Sequence, residues 1–107
     1  MKRFAVEYRE TAVEDLEAIF EYVLEASRDA VTAKRYTDRI FRKCENIGDV
    51  PHGYPERNDL SFGIRLVPFE DSAVILYVIE GETVWITNIF AGGRDYDAFF
   101  QRQRDTD

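Results

Sequence analysis

Three kinds of side chain in this sequence have chemical potential: one histidine, one cysteine and a row of carboxylates. His52 stands between a proline and a glycine without a second histidine or a cysteine at metal-ligand spacing, so a solvated loop residue is favoured. Cys44 falls on an apolar helical stripe, where an inert core residue is favoured over a nucleophile. The acids from Glu14 to Glu25 have the spacing of an exposed helix face, and a solvated carboxylate is a weak general acid at neutral pH. The sequence therefore predicts neither a metal site nor a cofactor.

A second group of candidates consists of apolar side chains that a helical layer cannot cover. In the last predicted strand, Trp85 and Thr87 share one face, whereas the valine and isoleucine beside them face the other way. Because helices shield one face of a small sheet, Trp85 either forms an open apolar face for a partner or packs under the C-terminal tail. Phe99 and Phe100 are adjacent and cannot both point into one core, so we expect at least one to be exposed until a partner binds.

Basic side chains are scarce after residue 50, with five arginines against ten acids. Arg65 lies in an otherwise apolar strand, where a structural ion pair with a carboxylate is favoured over a functional role. Arg94 is the next arginine along the chain. The net charge of −7 counts against nonspecific nucleic-acid binding, which depends on clustered lysine and arginine.

The composition is typical of one folded domain. A length of 107 residues suits a single unit, residues 1–107, and 45% apolar with 14% aromatic residues excludes a disordered acidic tail. One cysteine excludes an intramolecular disulfide and is consistent with a reducing compartment. Neither a signal-peptide core nor a membrane-spanning run is visible, so we expect a cytoplasmic protein without a membrane partner.

The N-terminal half predicts a strand and two helices. Phe4, Val6 and Tyr8 alternate with other residues as in a half-buried strand, and Thr11 with Glu14 forms a capping box that predicts a helix start. A break at residues 27–29 then separates two helices, which should form an antiparallel hairpin. The apolar stripes comprise Leu16, Ile19, Phe20, Val23 and Leu24 in the first helix, and Ala33, Tyr36, Ile40, Cys44 and Ile47 in the second. Gly48 is predicted to end the second helix in a left-handed conformation.

The C-terminal half predicts three strands, at residues 62–67, 73–79 and 83–90, after a loop over residues 49–59. The middle strand is apolar on both faces and should be central, and the last two strands should form a hairpin. A short helix capped by Asp95 or Asp97 is predicted to follow. The predicted fold is α+β: an N-terminal strand and an antiparallel helical hairpin packed on a small, mostly antiparallel β-sheet.

Five segments in order form a pattern that covers about residues 3 to 96. They are residues 12–23, 50–55, 63–65, 74–78 and 84–95. Together they resemble ParE toxins of the RelE/ParE superfamily of type II toxin–antitoxin systems. ParE-type endings often read His-Gly-x-Arg-Asp; here Ala91 stands at the histidine position, whereas Arg94 and Asp95 match.

The resemblance implies a bacterial toxin held inactive by a small ParD-like antitoxin, often a ribbon-helix-helix protein encoded next to it, whose C-terminal segment folds along the toxin. DNA would be contacted only indirectly, through the antitoxin, in a toxin–antitoxin hetero-oligomer. Such an antitoxin segment would suit the apolar exposure argued above, and the residues expected to contact the antitoxin are Trp85, Thr87, Ile89 and Arg65. The residues expected to contact the target are Arg94, Tyr96, Phe99 and Phe100, because the segment from Arg94 onward carries aromatic side chains expected to be exposed.

ParE members are associated with inhibition of DNA gyrase, whereas RelE members cleave ribosome-bound mRNA with clustered basic residues and often a tyrosine. Such a ribonuclease needs several cations around the scissile phosphate. This chain offers only Arg65 and Arg94, with Tyr96 nearby. Gyrase inhibition by protein contact is therefore favoured over a ribonuclease. A non-toxic homologue that only binds antitoxin is a third alternative.

Overall fold

The computed structural model describes residues 2–91. Within this range the elements are β1 (Ala5–Tyr8), α1 (Glu10–Ser27), α2 (Ala30–Ile47), β2 (Arg65–Phe69), β3 (Ala73–Glu80) and β4 (Thr83–Ala91). The sheet order is β1-β4-β3-β2; β1 pairs parallel with β4, and the other pairs are antiparallel. The predicted α+β architecture is confirmed, including the central place of β3 and the hairpin that it forms with β4. The short helix predicted around Asp95 and Asp97 lies outside the described residues.

The helical hairpin turns at Arg28 and Asp29, as the sequence predicts. Arg28 adopts a left-handed conformation with φ 56° and donates its backbone N–H to the Leu24 carbonyl at 2.7 Å. The Asp29 carboxylate then caps α2 by accepting bonds from the Thr32 hydroxyl and the Val31 N–H. Both bonds favour the ionised form, the Thr32 bond most, and they lower the pKa of Asp29.

Among the residues that the structure describes, neither α1 nor α2 combines the length and the apolar composition that a membrane-spanning helix needs.

The predicted Thr11–Glu14 capping box is wrong. Helix α1 begins at Glu10 after Arg9, which provides no side-chain cap, and the Thr11 hydroxyl instead donates to the Thr87 carbonyl at 2.5 Å. Thr11 therefore lies inside the first turn, and its hydroxyl bonds to the sheet rather than to its own helix. The Thr11 hydroxyl thus bonds to a carbonyl in a distant strand and not to a backbone group of its own helix.

The predicted left-handed conformation at Gly48 is also wrong, because this residue is right-handed with φ −59°. Glycine is needed here for a close approach of the backbone. A Cβ at Gly48 would lie 2.6 Å from the Phe4 carbonyl oxygen, and the Phe4 N–H donates to the Gly48 carbonyl at 2.9 Å. The end of α2 is thereby joined to the start of β1.

The first C-terminal strand is displaced from its predicted position at residues 62–67 and runs from Arg65 to Phe69. Phe62 lies in a turn with 91% of its surface exposed, and Gly63 has φ 77°, which interrupts an extended chain. Pro68 is tolerated because β2 is an edge strand.

The main core lies between the helical hairpin and one face of the sheet. Most of the stripe residues that the sequence assigns to the core are buried in it or pack against it, namely Ile19, Ile40, Cys44 and Ile47 inside and Leu16, Val23 and Tyr36 against it. Ala33 is also buried, whereas Phe20 and Leu24 are only partly buried. On the sheet side, Tyr77 is fully buried and its hydroxyl donates to the Pro51 carbonyl at 2.7 Å. This bond fastens the loop after α2 to β3.

Candidate partner-binding site

A β-bulge in β4 decides which of its side chains face the helices. The register with β3 shifts between Leu76 and Tyr77, which leaves Thr87 as an extra residue on β4. One extra residue inverts the alternation of side chains along a strand. Ile89 is consequently fully buried in the main core, on the opposite side of the sheet from Trp85. Ile89 and Trp85, which are expected to contact the same antitoxin, therefore lie on opposite faces of the sheet in this subunit.

Helix α1 holds the bulge through two side chains one turn apart. The Thr11 hydroxyl donates to the Thr87 carbonyl, and the Asp15 carboxylate accepts the Ile89 N–H at 2.9 Å. The Thr87 hydroxyl in turn donates to the Leu76 carbonyl at 3.2 Å, across the irregular part of the ladder. Asp15 therefore does not belong to a purely exposed acidic face, as its spacing predicts; it is partly buried and fixes the strand that carries Trp85.

Replacing Asp15 by alanine should lower the free energy of unfolding by about 1–3 kcal/mol, because the partly buried Ile89 N–H loses a charged acceptor. Urea unfolding of the purified protein measures the change. The matched control is E14A, an exposed neighbour in the same helical turn, which should stay within about 0.5 kcal/mol of the wild type. Equal stability of D15A and E14A would show that α1 does not hold the bulge.

The face of the sheet away from the helices is covered in part. Leu60 and Ile64, from the segment before β2, pack against Leu76 and Phe90, and all four side chains are almost fully buried. From the sequence, this face is expected to lack a helical cover, and Ile64 is expected only as part of a strand. The correction is that a loop forms a second, smaller core over the centre of this face.

Beside the second core, an apolar strip remains only partly buried; it consists of Leu66, Val74, Val78 and Trp85. Val78 and Trp85 are opposite each other in the β3–β4 register, which places them on the same face. The Arg9 guanidinium lies 4.3 Å from the centroid of the Trp85 ring and donates to the Glu80 carboxylate at 2.7 Å. The apolar strip is thus a surface of aliphatic and aromatic groups with an ion pair at its border.

Arg65 is directed away from the apolar strip. It is opposite Tyr77 in the β2–β3 register, on the helix side of the sheet, and its side chain is only 14% exposed. Its guanidinium donates to the Tyr54 carbonyl and lies 3.4 Å from the Glu56 carboxylate. Burial raises the pKa of the adjacent Tyr77 to about 12, although the charge of Arg65 opposes this rise. The carboxylate pair predicted for Arg65 is confirmed, and its position connects the loop after α2 to the sheet.

The structure therefore separates the four residues expected to contact an antitoxin. Trp85 lies on the apolar strip, Thr87 forms the bulge, Ile89 is in the main core and Arg65 holds a loop. The target-contact set, Arg94, Tyr96, Phe99 and Phe100, lies outside the described residues. Of the ribonuclease set, only Arg65 is described.

Cys44 and His52, the other two side chains with chemical potential, both lie in environments that do not favour chemistry. Cys44 is fully buried, and burial raises the pKa of its thiol to about 12, so the described fold holds it in the protonated form. His52 is exposed and meets the Phe4 ring edge-on at 5.7 Å. Between residues 2 and 91, no group of three or more histidine, cysteine or carboxylate side chains is placed to hold a metal ion.

Similarity to solved structures concerns the fold. A chain of the chromosomal ParDE toxin–antitoxin system from P. aeruginosa superposes with a TM-score of 0.73 at 17% identity, covering 83% of this chain and 96% of that one. A chain of the RelBE2 toxin–antitoxin complex from Mycobacterium tuberculosis gives a TM-score of 0.63 at 18% identity, covering 88% and 97%. No curated protein sequence matches significantly.

The sequence itself matches a family model over residues 6–96, from β1 to beyond the end of β4. That model describes the ParE toxin of the type II toxin–antitoxin system parDE. The match spans most of the chain, and the fold is similar to that of both solved structures. The chain belongs to the ParE toxin family of type II toxin–antitoxin systems.

Proposed function

We propose that this toxin is neutralised by a small antitoxin whose C-terminal segment lies over the apolar strip, and that it inhibits DNA gyrase by protein–protein contact. The match to the ParE family supports both parts, since the resemblance to ParE toxins implies them. The solved relatives are also a ParDE system and a RelBE2 complex, in which toxin and antitoxin occur together.

The apolar strip supports the antitoxin part of the proposal. Leu66, Val74, Val78 and Trp85 keep part of their surface in solvent, and a disordered segment that folds on binding needs such apolar surface to offset its ordering cost. Tryptophan is enriched among the residues that dominate binding energy at protein interfaces. Trp85 is therefore the central contact in this proposal.

One observation carries the choice of gyrase over mRNA. A ribonuclease would need Arg65 to reach a phosphate, but this side chain is largely buried and engaged with the Tyr54 carbonyl and the Glu56 carboxylate. Withdrawing it would leave a partly buried carbonyl without its charged donor. A target recognised through protein surface does not require this rearrangement.

The test compares the two targets in purified systems. The toxin should block ATP-dependent supercoiling by gyrase in a dose-dependent manner, and prior addition of the protein encoded by the adjacent reading frame should restore supercoiling. Translating ribosomes with a reporter mRNA should yield no new mRNA ends. Defined mRNA ends together with unaffected gyrase would replace this proposal with the ribonuclease.

Truncation after Gly93 should abolish growth inhibition and leave antitoxin binding within about threefold of the full chain. The truncation removes Arg94, Tyr96, Phe99 and Phe100, the proposed target contacts, whereas the apolar strip lies entirely before residue 91. Induced expression measures growth inhibition, and co-purification with the antitoxin measures binding. Growth inhibition that persists in the truncated toxin would remove the target role from these residues.

A further inference from the structure

Phe62 is the most exposed of the large apolar residues in the described chain. Its exposure is 91%, whereas the next values are 59% for Tyr22 and 56% for Val31. Isolated exposed apolar residues are common on protein surfaces and need no explanation by themselves. Phe62 differs because it stands at the tip of a loop whose conformation is fixed and whose other apolar residues are buried.

A network of hydrogen bonds and one ion pair fix the conformation of this loop, which we call the Phe62 loop (residues 56–64). Its ends are joined by the Arg57 N–H and the Ile64 carbonyl at 2.6 Å. Just after Phe62, Gly63 takes φ 77° and donates its N–H to the Asn58 side chain at 2.7 Å. The Arg57 guanidinium makes two bonds to the Asp59 carboxylate, at 2.9 and 2.8 Å. Three further backbone hydrogen bonds within the loop and a bridge between Glu56 and Arg65 also hold it.

The Phe62 loop is anchored on the same face of the sheet as the apolar strip. Leu60 and Ile64 flank Phe62 in sequence and are 4% and 5% exposed, in the second core. Leu66 and Val74 of the apolar strip pack against that same core. Phe62 therefore projects from a platform that is continuous with the apolar strip. Because the backbone of the loop is already fixed, a partner that contacts Phe62 does not pay the entropy cost of ordering this segment.

The charges in the Phe62 loop favour an apolar contact at its tip. Arg57 pairs with Asp59, and Glu56 pairs with Arg65 at the base of the loop. A turn of this shape requires Gly63 and Asn58, but no contact within the described fold requires an aromatic residue at position 62. The Phe62 side chain thus exposes apolar surface to solvent and does not contribute to the described core.

We propose that Phe62 is an aromatic anchor for the antitoxin and inserts into an apolar pocket formed by the antitoxin segment that covers the apolar strip. This inference rests on the proposed function, because it extends the antitoxin contact from β3 and β4 to the loop before β2. Phe62 would be the second large aromatic anchor of the interface, and Trp85 would be the first. The antitoxin segment then spans the sheet from Trp85 to the Phe62 loop.

The test compares F62S with Y22S, which removes an exposed aromatic side chain from α1, on the helix side. The probe is the purified protein encoded by the adjacent reading frame, and its binding to each full-length toxin is followed by surface plasmon resonance. F62S should raise the Kd at least tenfold, mainly through faster dissociation, and Y22S should stay within twofold of the wild type. F62W should retain most of the affinity. Growth inhibition by F62S in the absence of antitoxin should equal that of the wild type.

The alternative outcomes are distinct. An unchanged Kd for F62S, measured on a toxin whose wild type binds, overturns the anchor and leaves the proposed function intact. Loss of growth inhibition by F62S with an unchanged Kd assigns Phe62 to the target instead of the antitoxin. Absence of binding by the wild-type toxin overturns the proposed neutralisation and this inference with it.

Discussion

Replacing Trp85 by alanine should weaken antitoxin binding at least about 30-fold, which corresponds to about 2 kcal/mol. Trp85 is the largest side chain of the apolar strip, and it lies between Val78 on β3 and the Arg9 guanidinium. Truncation removes the apolar area that the antitoxin segment would cover and leaves a gap that neither neighbour fills. Isothermal titration with the purified antitoxin measures the loss.

Two controls separate binding from folding in W85A. Thermal unfolding of the isolated toxin shows whether the variant is folded, since Trp85 is only partly buried and its loss should leave a cooperative transition. Y22A removes an exposed aromatic side chain of α1 and should bind like the wild type. Equal affinities of W85A and Y22A would place the antitoxin somewhere other than the apolar strip.

Replacing Gly48 by alanine should destabilise the protein by about 2–3 kcal/mol, a large fraction of the stability of a small domain. The new Cβ would lie 2.6 Å from the Phe4 carbonyl oxygen and 2.8 Å from the Arg3 guanidinium. The guanidinium can move, but the carbonyl belongs to the backbone that leads into β1. Either the Phe4 N–H bond to the Gly48 carbonyl breaks, or β1 shifts against β4.

Chemical denaturation of G48A measures this loss, and N46A is its matched control. Asn46 is an exposed residue in the last turn of α2, and its replacement should change the free energy of unfolding by less than about 0.5 kcal/mol. A stability of G48A equal to that of the wild type would show that β1 has room to move away. In that case, the close approach of the Phe4 carbonyl would not be the reason for a glycine at position 48.

Local patterns in the sequence were sufficient for most of the elements. The stripes containing Ile19 and Ile40 predicted both helices because one periodic face had to be buried. The break at residues 27–29 predicted where α2 starts, and the Asp29 side chain caps the helix there. The apolar run from Ala73 predicted a central strand because both of its faces are covered, by the helices and by the Phe62 loop.

Features that depend on contacts between distant segments were not predictable from the same patterns. Thr11 fits a helix cap by sequence, but its acceptor is the Thr87 carbonyl, 76 residues away. Gly48 was correctly placed at the end of α2, but glycine is required there by the nearby Phe4 backbone and not by a left-handed conformation. Period-two alternation placed Phe62 in a strand, whereas the Asn58 side chain and Gly63 form a turn there.

The candidate site was predictable only in part, for a physical reason. Trp85 was assigned to the face without helices, and its position on the apolar strip agrees with that assignment. The extra residue Thr87 reverses the alternation just beyond it, so Ile89 belongs to the core. The sequence carries no local signal for a bulge, because the bulge is held by Thr11 and Asp15 from another element.

Quenching of Trp85 fluorescence tests the central claim most directly, because Trp85 is the only tryptophan of the chain. The acrylamide quenching constant is measured for the free toxin and for the complex with an antitoxin in which any tryptophan has been replaced by phenylalanine. Coverage of the apolar strip predicts that the quenching constant falls at least about threefold on binding, and that the emission maximum shifts to shorter wavelength. A tight complex in which Trp85 is quenched as readily as in the free toxin would contradict it.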